Sequence, residues 1–457
     1  MTTNQTSSEK STKEQKAWYY YDWANSAYVT TTTAVLFSPY LTSVAEKAAC
    51  GFATDDNVTC RTDLQILGIG IAPGSLVFYL VPLITLLSAI ILPIVGAIAD
   101  RSANKPLFMA RFAWTGSIAA ASMVFVGGTN WQLGALLLLI ANISLGSSLV
   151  VYDAILVDIA GPDDRDRVSS RGWAFGYLGG GLLLTTNFLL LTFNDSLGIS
   201  TSTAVRICLL VAGIWWGAFT FIPLRGLKAH PPRDVVASSG DTLLRRSFGQ
   251  LWATLKDLRN FPQTLIFLLA YLFYNDGIQT VIYAASIYGE KELKFEKSTV
   301  LLAFLTVQFV GIVGALVFGR IAMRIGTRKT IMMTLYIWGV VVIGGFFLPE
   351  KEFLPFLILA VGIGLVLGGS QALSRSFYSH LIPRGREAEY FSLYQACERG
   401  TSWFGMVVFG VVHQMSGSYR PAIVALIVFF ALGLALLSRL DVRRGIEEAG
   451  NPLPVMI

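Results

Sequence analysis

Charge is scarce in this chain. Of its 457 residues only 14% are Asp, Glu, Lys or Arg, against about a quarter in an ordinary soluble domain. At this length, so low a share excludes a conventional soluble protein. Histidine is rarer still: His230, His380 and His413 are the three, scattered over a polar linker and the ends of apolar runs. No nucleophile–base spacing accompanies them, so an enzyme is not expected. Four cysteines form neither a metal-ligand spacing nor a redox motif, and no metal or other cofactor is expected. Cys208 and Cys397 lie in apolar runs and read as packing thiols. Residues 1–16 are polar and lack an apolar core before a small-residue cleavage site, so the first helix is expected to direct insertion. The longest polar piece, Arg225 to Phe261, is too short for the soluble output domain of a sensor.

What the chain has instead is apolar length: 54% hydrophobic residues and a mean hydropathy of +0.58. Repeated apolar runs of roughly 20 residues identify an all-α polytopic membrane protein, with the lipid bilayer as its surroundings. Twelve spans fit, over 17–44, 73–99, 106–127, 131–160, 168–192, 203–224, 263–289, 298–319, 330–348, 353–382, 390–415 and 420–439. They divide the chain into a tail (1–16), a six-helix bundle (17–224), a linker (225–262), a second six-helix bundle (263–440) and a second tail (441–457). Within the linker, Asp241 to Asn260 repeats leucine and phenylalanine at helical spacing, as an amphipathic surface helix does.

Orientation follows from lysine and arginine. With the N-terminus inside, roughly 25 of the 35 basic residues fall in cytosolic segments. Both termini are therefore expected in the cytosol of a multi-pass protein of the cell membrane. The net charge of +6 is no nucleic-acid signal, because the bases sit between spans. Cys50 and Cys60 share the first outer loop, where a disulfide can persist; spacing leaves that pairing open.

The polar residues inside the spans carry the functional information. Trp18 to Thr33 opens the first span, and Asp22, Asn25, Ser26, Thr30 and Thr33 fall on one side of a helix. A carboxylate and an amide there are costly unless they face water, a partner or a substrate. The stripe reads as one wall of a polar cavity.

The chain also repeats. Gly96-Ala-Ile-Ala-Asp100-Arg101 precedes the third span and Gly319-Arg-Ile-Ala-Met323-Arg324 the ninth. The same spacing, to within one residue, relates Leu145-Gly-Ser-Ser148 to Leu367-Gly-Gly-Ser370. Tyr21–Asn25 and Tyr271–Asn275 also match, at a separation larger by roughly 27 residues, which the long loop after span one absorbs. Two parallel six-helix repeats predict a transporter with its site between the halves.

The Gly-x-x-x-Asp-Arg loop resembles the signature of the major facilitator superfamily. Its first copy has Ala103 for the second glycine, and its second has Met323 for the acid. Trp18-Tyr-Tyr-Tyr-Asp-Trp-Ala-Asn-Ser26 resembles the opening signature of one family within it. This is the vacuolar amino-acid effluxer (autophagy-related) family, also called the unknown major facilitator family. Tyr274 to Thr280, Gly368 to Ser376, Arg171 to Tyr177 and Glu389 to Phe391 are similar to further motifs of that family. The resemblance implies a major facilitator fold of twelve helices in two pseudo-symmetric bundles, with spans one, four, seven and ten around a central cavity. For fungal members it implies amino-acid export from the vacuole. Asp153 departs from the family, which more often has asparagine there.

Candidate roles follow from depth. At 1.5 Å per residue, Asp153 and Arg375 each lie about 30 Å from the outer ends of their spans. With Asp22, Glu398 and Arg399 they form a candidate inner gate, and Asp100, Arg101 and Arg324 form a candidate latch in the signature loops. Asn275 and Asp276 lie nearer the midplane. Together with Asp22, Asn25, Ser26, Gln279, Gln371, Ser374 and Arg375, they are the candidate substrate or coupling-ion residues. Four acids (Asp22, Asp153, Asp276, Glu398) face two bases (Arg375, Arg399), and an unpartnered buried carboxylate takes up protons. The expectation is a monomeric secondary transporter of a small polar solute, an amino acid or related metabolite. It would work by alternating access with a proton as coupling ion, Asp276 or Asp22 as carrier and Arg375 as anchor for a substrate carboxylate. Arg375 also reads as the partner of an acid, and Asn25 and Asn275 as packing amides. Export of drugs, sugars or small peptides, and a non-transporting sensor, are the alternatives.

Overall fold

The computed structural model describes residues 11–53, 60–66, 68–230, 256–400 and 402–456. Among these residues, ten helices are long and apolar enough to cross a membrane. The sequence reading has twelve, and the difference lies in spans one and eleven. Span one is helical in three pieces, Lys13–Tyr28, the π-helical Val29–Leu36 and Phe37–Cys50. Its first piece is too polar to register as a crossing. Span eleven is described as Glu387–Gly400 and Ser402–Ser416, on either side of Thr401, which lies outside the described residues. These two elements hold Asp22, Asn25, Glu398 and Arg399.

Local chemistry explains how span one is set. Thr12 caps it: the Thr12 hydroxyl accepts from Gln15 N–H and the Gln15 side chain accepts from Thr12 N–H, both at 3.1 Å. The Gln15 amide also donates to the Ile159 carbonyl at 3.0 Å, tying the start of span one to the end of span four, Trp131–Ile159. The π-helical piece coincides with the run Thr30 to Thr33, where β-branched side chains crowd a regular α-turn. Gly51, at φ +82°, closes the helix. In the loop beyond, Cys50 and Cys60 form a disulfide, with Cα atoms 5.8 Å apart. A two-stranded antiparallel hairpin, Leu64–Ile66 with Ile69–Ile71, follows it. Strands of three residues are too short to show a period in sequence. The amphipathic linker helix expected over 241–260 lies outside the described residues as far as 255. Leu258–Asn260 is a 3₁₀ turn.

Small residues bring the spans together. A Cβ on Gly179 of span five (Arg165–Thr192) would lie 3.1 Å from Trp23 Cα of span one. The two signature glycines face across the molecule. A Cβ on Gly96 of span two (Leu76–Asp100) would lie 2.9 Å from Glu389 Cα of span eleven, and one on Gly319 of span eight (Lys297–Ile325) would lie 2.6 Å from Ser170 Cβ of span five. Pairs two–eleven and five–eight thus form repeat-related seams between the halves.

Candidate functional site: a central cavity closed at one end

A cavity lies between the halves. It runs from Asp22, Asp153 and Arg375 at one end to Val300 and Phe356, near the first turns of spans eight and ten (Phe353–Leu381). Its closed end points toward the face that carries both termini.

Arg375 organises that closed end and is only 3% exposed. Its Nη2 donates to Asp22 Oδ2 at 3.0 Å and to the Ser169 carbonyl at 3.1 Å. Its Nε donates to Ser169 Oγ at 3.0 Å, and its Nη1 lies 3.5 Å from Asp153 Oδ1. The guanidinium lies over the rings of Trp18, Tyr152 and Trp173, 4.7, 5.3 and 5.5 Å from their centres. Trp18 and Tyr152 are themselves stacked, 4.3 Å apart. This cage needs glycine at position 172, where a Cβ would stand 2.6 Å from Asp22 Oδ2 and 3.0 Å from Arg375 Nη2. Gln395 extends the network. It donates to Asp153 Oδ2 at 2.8 Å and to Glu398 Oε2 at 3.2 Å, and accepts from Arg399 Nε at 3.3 Å. Glu398 and Arg399 line the cavity wall.

Other bonds between the halves gather nearby. Arg165 Nη1 donates to the Ser379 carbonyl at 2.8 Å and Ser169 Oγ to the Ala372 carbonyl at 2.7 Å. Both Asp100 oxygens accept backbone N–H groups of the first turn of span eleven, Ala388 and Glu389, at 2.8 Å. A carboxylate suits those otherwise unpaired donors. Met323 stands at the equivalent place in the second half. There the bond is made from the other side: Asp166 accepts from Thr327 Oγ1 at 2.6 Å and Ser376 Oγ at 2.5 Å. Arg101 and Arg324 are exposed at the ends of their helices.

Of the other expected residues, Asn25, Ser26, Gln279 and Gln371 line the cavity. Asn275, Asp276 and Ser374 do not reach it. Asn275 is covered by Gln371, whose Nε2 donates to its Oδ1 at 3.0 Å, and its own Nδ2 donates to the Glu398 carbonyl at 3.1 Å. Asp276, about 100° further round the helix, turns to span eleven and accepts from Gly405 N–H at 2.9 Å. Ser374 donates to the Ser370 carbonyl at 2.6 Å and pairs with the Tyr274 hydroxyl at 2.6 Å. Sequence reasoning missed Ser169, Gln308 and Gln395. Gln308, an amide in the apolar span eight that lines the cavity, carried a signal in its intramembrane cost.

The family description that matches, over residues 10–450, is "Vacuole effluxer Atg22 like". This chain belongs to that Atg22-like family. It is 28% identical over 448 residues to the uncharacterized MFS-type transporter YxiO of Bacillus subtilis (strain 168), which spans 97% of this chain and 99% of that one. It is 26% identical over 450 residues to autophagy-related protein 22-1 of Phaeosphaeria nodorum, covering 84% of this chain and 79% of the relative. Its fold is similar to the E. coli fucose:proton symporter FucP, with a TM-score of 0.63 at 11% identity over 94% and 98% of the two chains. It is also similar to the proton:xylose symporter XylE, at 0.66 and 10% identity over 93% and 95%. The Atg22-like chain therefore has the major facilitator fold and is a membrane transporter of that superfamily, not an enzyme.

Proposed function

We propose that this Atg22-like transporter carries a small zwitterionic solute, an amino acid or related metabolite, across the cell membrane by proton-coupled alternating access. One observation carries the reading: the cavity is charged at one end and apolar along its walls. Acids and bases are mixed there: Asp22 and Asp153 flank Arg375, and Glu398 and Arg399 lie beside them on the wall. Val29, Val281, Ile282, Val307 and Ile363 line the remainder, interrupted by Gln279, Gln308 and Gln371. An ammonium and a carboxylate on one carbon match the mixed-sign end, and a side chain fits the apolar wall. Gln371 Oε1 is buried without a donor among the described residues, which suits an ammonium. A sugar would leave hydroxyls against aliphatic walls, which disfavours that substrate.

Lysine and arginine bias puts the termini in the cytosol. The cavity then opens outward, and the Arg375 cage with the Asp100 cap is the inner gate. Inward opening breaks those bonds together. The test is a thermal-shift panel of amino acids, sugars and dipeptides on the purified protein, then counterflow of the hits in proteoliposomes with an imposed pH gradient. Amino acids are expected to give saturable counterflow, with accumulation following the gradient. Amino acids that neither shift the protein nor exchange, or accumulation indifferent to pH, would defeat the reading.

A further inference from the structure

Asp276 is not used by the cavity or by the gate, yet it lies midway along span seven, Pro262–Ile287. Its residue is 1% exposed. One oxygen, Oδ2, accepts the single hydrogen bond from Gly405 N–H. Among the described residues the other, Oδ1, has no partner, and neither has Thr280 Oγ1 one turn further on. Both oxygens face the space left by the missing side chain of Gly405. A Cβ there would stand 3.2 Å from Asp276 Oδ1 and 3.1 Å from Thr280 Cβ, and would collide with Thr280 Oγ1.

The titratable groups on the surrounding elements are engaged elsewhere. On span eleven, the Glu398 and Arg399 side chains bond Gln395, and His413 stacks on Tyr419. On span ten, Arg375 is held by Asp22 and Ser169. On span seven itself, Tyr271 stacks on Tyr394 and Tyr274 bonds Ser374. Span twelve presents Phe429 and Phe430 beside Gly277. An ionised carboxylate in such a place lacks both a counter-charge and its normal complement of donors, whereas the neutral acid needs only one acceptor.

We propose that Asp276 and Thr280 form a proton-binding site of the transport cycle, outside the substrate cavity and linked to it through Asn275 and Gln371. A proton from solution adds to Oδ1, and the neutral acid faces Thr280 across the niche at Gly405. Its release restores the carboxylate on Gly405 N–H. The neighbouring Asn275 holds Gln371 of the cavity wall on one side and the Glu398 carbonyl of span eleven on the other. A solute that engages Gln371 therefore pulls on the residue next to the proton site. The place of this site in transport rests on the proton coupling proposed above; its protonation does not.

The experiment is infrared difference spectroscopy between acid and alkaline pH on the purified full chain in lipid nanodiscs, with no solute added. Wild type is expected to show a protonated-carboxyl band that titrates. Asp276→Asn is expected to lose it, Asp22→Asn to keep it, and Thr280→Ala to shift its frequency and midpoint while the protein stays folded. A band unchanged in both Asp276→Asn and Thr280→Ala overturns the assignment. In proteoliposomes with a radiolabelled amino-acid mixture, Asp276→Asn is expected to retain exchange at equal pH and to lose gradient-driven accumulation. Accumulation at the wild-type level removes the site from the cycle. Absence of any amino-acid transport by wild type would count against the substrate reading and leave the infrared result standing.

Discussion

In the first half, Ser26 and Thr30 of span one lie against Gly176 and Gly180 of span five; in the second, Asp276 and Thr280 of span seven lie against Gly405 of span eleven. The repeat that aligns Tyr21–Asn25 with Tyr271–Asn275 makes these one niche occurring twice. A hydroxyl fills it in one half and a carboxylate in the other, so packing alone does not require the acid. Asp22 shows the reverse exchange, since Leu272 takes its place in the second half. Spans one and seven thus each carry an acid that the other lacks at the matching position. Asp22 reaches across the interface to Arg375, and Asp276 stays within its own half. Charge has been placed where the repeat is broken, and the two breaks serve different contacts.

The largest effect comes from breaking the cross-interface contact. Arg375→Met leaves Asp22 and Asp153 buried without a cation, and a loss of about 3–5 kcal/mol is expected. Adding Asp22→Asn to it recovers part of that loss, as read by unfolding in detergent. A single variant as stable as wild type would deny the pair any structural role. Gly172→Ala sharpens the comparison at intermediate cost. Its Cβ would press on Asp22 Oδ2, and about 1–3 kcal/mol is expected from overpacking. Cysteine labelling of the face bearing the termini should rise for Gly172→Ala and not for Gly405→Ala, which crowds the other acid. Equal labelling of both would erase the distinction between the two sites.

The smallest effect lies outside the membrane, at Asp257. Partial burial pushes its carboxyl up, but hydrogen bonds from Asn260 and Arg386 outweigh this and hold it below the usual range. A depressed carboxyl stabilises the fold above its ordinary pKa of about 3.9, and the contribution fades as pH falls below that. Asp257→Asn is expected to cost at most about 1 kcal/mol at neutral pH, because the pair is partly exposed. The gap in melting temperature from wild type is expected to narrow toward pH 3. A gap that widens in acid contradicts the sign.

Much of the site was legible in sequence because membrane helices make polar residues conspicuous. The stripe from Asp22 to Thr33 could be read from its spacing, as could the glycines at 96 and 319. Three things could not. Asp276 and Gln279 are three residues apart on one helix, yet only Gln279 reaches the cavity, because Asp276 turns to Gly405 of a neighbouring span. The reversal of the second latch, with Asp166 replacing the acid missing at Met323, needed the packing that brings Asp166 to Thr327 and Ser376. The shortfall of span one in apolar length arose because its polar residues were counted against the bilayer while facing the protein interior.

The sequence by itself determined that this chain crosses a membrane repeatedly, that it is built from a duplicated unit, and which residues would be too polar for lipid. Those properties are local: hydropathy over some 20 residues and a helical period settle them. Only the tertiary structure decided which acid meets which base. Asp22 and Arg375 stand 353 positions apart in the chain, and closing that distance depends on how glycine-lined helix faces fit together, which no local pattern encodes.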